Sequence, residues 1–277
     1  MATAIERRRD RWAVPLLVLV GLLFVVPFYW LVSSAFKPDA EIYRWPLQWV
    51  PSRLVLDNFV RAWNAAPFAD FFVNSLVVTL VGATLKVVLA VFCAYAFAYL
   101  PFPGKKFLFL AVLGALMVPG HVTLLINYIT IGNLGLINTY AGIILPGMAS
   151  AFGTFLLRQH FLSLPREVLE AAELDGAGHL RRLVRFVVPM SLPAVATVAL
   201  IAAIDEWNDF IWPLLITNTV QMRTLPIGLM YLKETEGVDQ WGAIMAGTTF
   251  VVLPILLLFL FAQRYIIAGM AGATVRH

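Results

Sequence analysis

Residues 164–189 read LPREVLEAAELDGAGHLRRLVRFVVP. The stretch is polar, carries both charge signs and has helical spacing. Pro165 stands where a helix begins, at a position that needs no amide hydrogen bond. Glu167 falls in the first turn, where the helix dipole favours a negative charge. Glu170 and Glu173 follow at helical spacing, and Val168, Leu169, Ala171, Ala172 and Leu174 supply an apolar stripe. Gly176 offers a left-handed stop, since glycine adopts that geometry without steric cost. Gly178 lets the chain turn again, and HLRRLVRFVVP forms a second amphipathic piece ending at Pro189. The sequence thus predicts a short helix, a glycine turn and a helix leading onward.

The surrounding chain is of a different character. Of 277 residues, 61% are hydrophobic and only 13% charged, with mean hydropathy +0.83. Soluble domains carry about a quarter charged residues. Apolar runs of about 20 residues, enough to cross a bilayer as a helix, recur along the chain. Spans are predicted over 12–35, 71–100, 106–131, 140–161, 191–216 and 241–267. The expected fold class is all-α: a polytopic membrane protein with six transmembrane helices and a cytoplasmic loop between helices four and five. Residues 1–277 are read as one transmembrane domain with the 162–190 loop inside it. Pro27, Pro119 and Pro146 do not veto helices, because neighbouring groups in lipid can satisfy freed carbonyls. The runs are too long for barrel strands of about 10 residues. ERRRDRW precedes an apolar run longer than the roughly 7–15 residues of a signal-peptide core, so an uncleaved first span is expected. The single cysteine, Cys93, excludes an intrachain disulfide and reads as apolar packing.

Orientation follows from Lys and Arg. With the N-terminus inside, the cytoplasmic side holds Arg7, Arg8, Arg9, Arg11, Lys105, Lys106, Arg158, Arg166, Arg181, Arg182, Arg185, Arg264 and Arg276. The other side holds Lys37, Arg44, Arg53, Arg61, Arg223 and Lys233, and Lys86 stays in the membrane. Both termini and the charged loop are therefore expected in the cytoplasm. A helix lying on lipid headgroups would suit its arginines, but Glu167, Glu170, Glu173 and Asp175 would then face an anionic leaflet. A helix that docks onto another protein fits better.

The loop resembles the EAA motif of importer permeases in the ABC transporter superfamily. That pattern is EAA, three residues, Gly, nine residues, then Ile-x-Leu-Pro. Here Glu170-Ala171-Ala172 is followed after three residues by Gly176, and after nine more by Phe186-Val187-Val188-Pro189. LPFPGKK at 100–106, NLGLINTYAGIILP at 133–146, EWNDFIWP at 206–213 and RYIIAGMAGATV at 264–275 are similar to segments of sugar-type permeases. The resemblance implies a coupling helix seated in a cleft of a cytoplasmic ATPase. Glu170 would be its polar contact, Ala171 and Ala172 its close-packing surface, and Asp175 and Gly176 its turn. It also implies a second, homologous permease, two ATPase subunits that bind ATP and Mg, and an extracytoplasmic solute-binding protein, which residues 37–70 are suited to meet; the alternative for that segment is that its tryptophans and prolines rest at the membrane interface.

The chain shows no nucleotide chemistry of its own. No G-x-x-x-x-G-K-[ST] occurs, and His121, His160, His179 and His277 lack paired metal-ligand spacing. No catalytic residue, no metal and no cofactor bound by this chain is expected, nor a nucleic-acid partner. Polar groups inside the spans are the other informative residues, because an ionisable side chain at membrane depth is costly unless it faces an interior or a partner. Lys86, Asn127, Asp205, Glu206, Trp207 and Asn208 are candidates for a translocation pathway or a subunit interface. His121 reads as cavity lining or packing. Asp209 adds to the span-five carboxylates, and Trp212 reads as packing or a stacking surface. TYAGIILPGMASAFGTFLLRQHFLSLP at 139–165 is similar to permeases for glycerol 3-phosphate and glycerophosphodiesters. The resemblance therefore implies import of such a compound, with a neutral disaccharide-like sugar as the alternative substrate. A secondary transporter is the alternative class, but matched internal repeats are lacking.

Overall fold

The computed structural model describes the backbone of residues 4–235 and 240–274, with side chains at 13–233, 240–261 and 263. The basic residues expected at Arg7, Arg8, Arg9, Arg11, Arg264 and Arg276 lie outside the described side chains. Among the described residues every regular element is helical. Three helices are long and apolar enough to cross a membrane: Ala13–Ala35, Phe68–Tyr99 and Trp241–Phe261. Three bent pairs bring the count to six if each pair is one span.

The bends differ from the continuous third and fifth spans that the sequence predicts. Lys105–Ala115 and Gly120–Asn133 meet at 96°. Pro119 between them is extended, with φ −61° and ψ 126°, because the ring removes the donor that would continue the helix. Tyr140–Gly147 and Ala151–Leu162 meet at 48°, with Pro146 inside a 3-10 turn. The Leu192–Asn208 helix stops at Asp209, which is extended, and Ile211–Ile216 resumes. Pro213 has no amide proton to give the Asp209 carbonyl, so a continuous ladder is unavailable there. Pro27, by contrast, lies within the unbroken Ala4–Ala35 helix.

The chain divides into two compact units, residues 1–68 with 228–253, and residues 69–227 with 254–277. In the first unit the opening helix presents apolar side chains such as Leu17 and Phe24 on its outside. The segment after it is pinned by buried Asn58, whose amide donates to the carbonyls of Ala35 (2.9 Å) and Lys37 (2.8 Å). Arg61 pairs with Asp39 at 3.2 Å and donates to Gln240, while Asp39 accepts the Gly242 amide proton at 2.8 Å. Lys37 is fully buried with its ammonium 3.9 Å from the Trp30 ring centroid, and burial pushes its pKa down.

In the second unit two apolar clusters hold the spans. One joins Ala94 and Tyr95 to Leu157, Phe161, Leu169 and Val187, and so ties the charged helix to the apolar bundle. The other joins Val78, Ile131, Ile143, Trp212 and Ile216. The NLGLINTYAG stretch follows from local chemistry. Gly135 and Asn138 both take positive φ, of 68° and 61°, a region that glycine and asparagine tolerate. The Asn138 side-chain oxygen accepts the Asn218 and Thr219 amide protons at 2.9 and 3.1 Å. Thr139 caps the next helix by accepting the Gly142 amide proton at 3.0 Å. Gly142 lies so close to the Leu136 carbonyl that a side chain would collide with it.

Candidate functional site

Two places collect the polar residues singled out in the sequence. The first is the charged loop. Its helix covers Arg166–Leu174, with Pro165 as the residue before it rather than the first helical one. The end is a Schellman closure: the Gly176 amide donates to Glu173 (2.9 Å) and the Ala177 amide to Ala172 (2.9 Å). Gly176 has φ +76°, as that closure requires. Leu169 and Ala172 are buried against their own chain, whereas Glu170, Ala171 and Asp175 are exposed and Leu174 is 89% exposed. Ala172 therefore faces inward, and of the two alanines only Ala171 lies on the outer surface.

The loop is also braced. Arg182 pairs with Glu173 at 2.6 Å, and its other nitrogen donates to His179 Nδ1 at 2.9 Å. The Tyr95 hydroxyl stands 3.2 Å from that same nitrogen. Tyr95, Glu173 and Arg182 border a pocket of about 280 Å³ that Glu170, Tyr99 and Phe161 also line. A π-helical stretch, Leu183–Val187, then precedes Pro189, and the chain turns by 84° into Leu192–Asn208.

The second place is a cavity of about 590 Å³ lined by Lys86, His121, Asn127, Asp205, Glu206, Asn208 and Asp209 among others. Lys86 and Glu206 form an ion pair of 2.7 Å, with their side chains 16% and 8% exposed. The Asn208 amide donates to the Ile204 carbonyl at 2.9 Å. Trp212 lines the cavity but donates its indole proton to the carbonyls of Gly142 (3.2 Å) and Ile143 (3.1 Å), so it is committed to packing. Trp207 does not join this group. It is buried, meets Phe72 edge-to-face at 5.9 Å, and borders a separate apolar groove. Helical rotation separates it from its neighbours: Asp205, Asn208 and Asp209 share a face at i, i+3, i+4 spacing, and Trp207 does not.

Two glycines that sequence reading passed over complete the site. A side-chain carbon on Gly82 would lie 2.8 Å from the Glu206 carboxyl carbon, and one on Gly147 would lie 3.7 Å from Lys86 Cε. Gly82 sits one turn before Lys86, and its bare backbone makes the space in which the Glu206 carboxylate rests. Spacing alone held a faint signal here, a glycine at i−4 from an intramembrane lysine.

The family described as binding-protein-dependent transport system inner membrane component matches residues 86–272. The chain belongs to this family. Relatives match along most of this permease. The probable ABC transporter permease protein YurM of Bacillus subtilis is 36% identical over 269 residues, 96% of this chain and 87% of the relative. The arabinooligosaccharides transport system permease protein AraQ of Halalkalibacterium halodurans is 33% identical, covering 93% of each. The sn-glycerol-3-phosphate transport system permease protein UgpE of Yersinia pestis is 33% identical, covering 97% of this chain and 99% of that one. A bacterial ABC transporter for import of the acidic polysaccharide alginate has a chain of the same fold, with a TM-score of 0.80 at 20% identity over 96% of this chain and 99% of that chain. The permease is thus an ABC importer subunit for sugar-type substrates in the inner membrane, a transport component and not an enzyme.

Proposed function

We propose that this permease forms half of a translocation pathway for a neutral, hydroxyl-rich saccharide of a few units. The reading rests on one observation: among the described residues that line the cavity the one lysine, Lys86, is paired with Glu206, while Asp205 and Asp209 line the same space. A phosphate would meet excess negative charge, whereas hydroxyl groups can donate to carboxylates and to Asn127 and Asn208. The arabinooligosaccharide relative agrees with it. A second reading is import of glycerol 3-phosphate or a glycerophosphodiester, favoured by the relative similar over nearly its whole length whose substrate is sn-glycerol 3-phosphate.

On this proposal residues 1–277 work as one transmembrane domain, with both termini and the 162–190 loop in the cytoplasm. A second, homologous permease completes the pathway. Two ATPase subunits bind ATP and Mg, and an extracytoplasmic solute-binding protein delivers the cargo. The outer face of the Arg166–Leu174 helix, carrying Glu170, Ala171 and Leu174, seats in the ATPase, with Asp175 and Gly176 shaping its end. An exposed leucine beside a small alanine suits close protein contact.

The experiment is uptake by the whole complex in proteoliposomes, comparing labelled arabinotriose and maltose with glycerol 3-phosphate and glycerophosphocholine. Uptake of a neutral saccharide is expected. Uptake of a phosphate compound with no saccharide uptake would replace the first reading by the second.

A further inference from the structure

The segment that follows the first span is dense in exposed apolar side chains, yet it lies outside any helix able to cross a bilayer. Trp45 is 84% exposed, Leu54 74% and Val50 71%. The segment is nevertheless closed and fixed. The Ser52 amide donates to one Glu41 carboxylate oxygen at 3.2 Å and the Ser52 hydroxyl to the other, which shuts the neck of the loop. The Tyr29 hydroxyl donates to the Trp49 carbonyl at 3.0 Å, and the Trp30 and Trp49 rings meet edge-to-face at 5.7 Å.

Those contacts set the depth of the loop. Tyr29 precedes the end of its helix at Ala35 by six residues, or roughly 9 Å along the axis at 1.5 Å per residue. The headgroup layer on each side of a bilayer is only about 5–8 Å thick. With the end of the helix anywhere in that layer, Trp49 is held at headgroup level or below it. Trp45, Val50 and Leu54 lie within five residues of Trp49 in the same segment and are exposed, as are Leu23 and Phe24 of the helix to which Trp49 is fixed. Arg44 and Arg53 flank this tip and are exposed, and a guanidinium matches phosphate oxygens in a two-point contact.

We propose that residues 43–56 are an interfacial anchor: Trp45, Val50 and Leu54 insert among the phospholipids of the leaflet where the first span ends, and Arg44 and Arg53 meet their phosphates. Tryptophan is enriched at that level of membranes because its ring is apolar with one polar edge. The anchor holds the end of span one at a set height. It removes this stretch from the surface open to a soluble partner, and it holds on whichever side of the membrane the loop lies.

The test uses the full chain in vesicles of phosphatidylethanolamine and phosphatidylglycerol. A nitroxide is attached at Trp45→Cys, or separately at Leu54→Cys, on a Cys93→Ala background. Collision with dissolved oxygen is compared with collision with a water-soluble nickel chelate. At both positions oxygen is expected to dominate by several-fold. Dominance of nickel would place the tip in water and overturn the proposal. Exclusion of both reagents, in the chain alone or in its complex, would show a protein covering the tip and overturn it equally. The two positions are independent, so a fold defect in one variant leaves the other to decide.

Discussion

Lys86 Nζ lies 2.7 Å from Glu206 Oε1, so the second and fifth spans of the permease are joined by an ion pair largely withdrawn from water. Removing one member of such a pair leaves an uncompensated charge, at about 3–5 kcal/mol. Replacing both by apolar groups removes the charge along with its partner. Lys86→Met is therefore expected to lower stability by about 3 kcal/mol, and Lys86→Met/Glu206→Leu to recover most of that. Unfolding of the two single variants and the double variant in one detergent checks this. Additive losses would mean that the two side chains are not energetically coupled.

Gly82 is the other half of that arrangement. Its missing side chain leaves room for the Glu206 carboxylate, and a methyl group there would lie 2.8 Å from the carboxyl carbon. Gly82→Ala is expected to cost about 1–3 kcal/mol through overpacking. Gly114→Ala, at a helical position with nothing within 4 Å, should be neutral or stabilising by up to about 1 kcal/mol. Equal melting behaviour of the two variants would refute the steric role given to Gly82.

Why Gly82 is hemmed in and Gly114, in a different helix, is free does not follow from the local sequence. The difference is made by Glu206, which lies 124 residues away from Gly82 in sequence. What local chemistry decides was legible. The closure at Gly176 follows from glycine alone, and the helix before it from acidic and apolar spacing. The apolar runs of the first, second and last spans became long helices, and Pro15, Pro27 and Pro254 are carried inside the first and last of them without a break. Pro119 is legible as well, but its consequence depends on its surroundings: a freed carbonyl can be satisfied in a membrane, yet the chain here bends by 96° instead. Trp207 was grouped with Glu206 and Asn208 by adjacency, whereas facing on a helix follows the 100° turn per residue.

Gly176 and Gly178 offer a direct comparison within the loop. Gly176 has φ +76° and Gly178 does not have positive φ; neither has an atom near its missing side chain. Gly176→Leu should cost about 1–2 kcal/mol in backbone strain alone and tilt the exposed face that carries Glu170. Gly178→Ala should leave both stability and transport intact. Substrate-stimulated ATPase activity of the assembled complex is the readout. A normal response from Gly176→Leu would separate the turn from coupling.

The neck of the Glu41–Ser52 loop should open in acid. The Ser52 hydroxyl and amide hold the Glu41 carboxyl below its ordinary pKa of 4.5. A depressed acid contributes stability that is whole above its unfolded-state pKa and is lost as pH falls through the folded value. A spin label at position 45 is thus expected to be immobile near neutral pH and to gain mobility only as the solution is acidified below the ordinary carboxylate range. In Ser52→Ala it should be mobile throughout. A label whose mobility is unchanged in strong acid, with every carboxyl protonated, would contradict the role of this carboxylate.

The last expectation concerns how movement of the charged helix reaches the spans. Glu173 on that helix pairs with Arg182, and Arg182 donates to His179 Nδ1. A guanidinium has no acceptor, so Nδ1 is the accepting nitrogen for Arg182, and the Tyr95 hydroxyl stands 3.2 Å from the same atom, sharing its single lone pair. This series is a polar connection from the Arg166–Leu174 helix to the second span, alongside the apolar contact of Leu169. Its members differ in exposure: Glu173 retains 66% of its side-chain surface and Arg182 13%, while Tyr95 is buried. Exposed pairs contribute about 0–1 kcal/mol, so Glu173→Gln should fold with nearly unchanged stability, and Tyr95→Phe, which removes one hydrogen-bonding hydroxyl and keeps the buried ring, should cost only about 0.5–1.5 kcal/mol. Loss of the connection should instead loosen the link between helix displacement and span two, so fewer substrate molecules cross per ATP hydrolysed. Arg182→Lys, which keeps the charge but not the two-point geometry, should fall between these variants and the unmodified chain. The measurement is the ratio of substrate imported to ATP hydrolysed in proteoliposomes, together with the melting temperature of each complex. A ratio unchanged in Glu173→Gln and Tyr95→Phe would leave Leu169 packing as the sole mechanical contact, and a fall in melting temperature matching the fall in ratio would reduce the series to a structural brace.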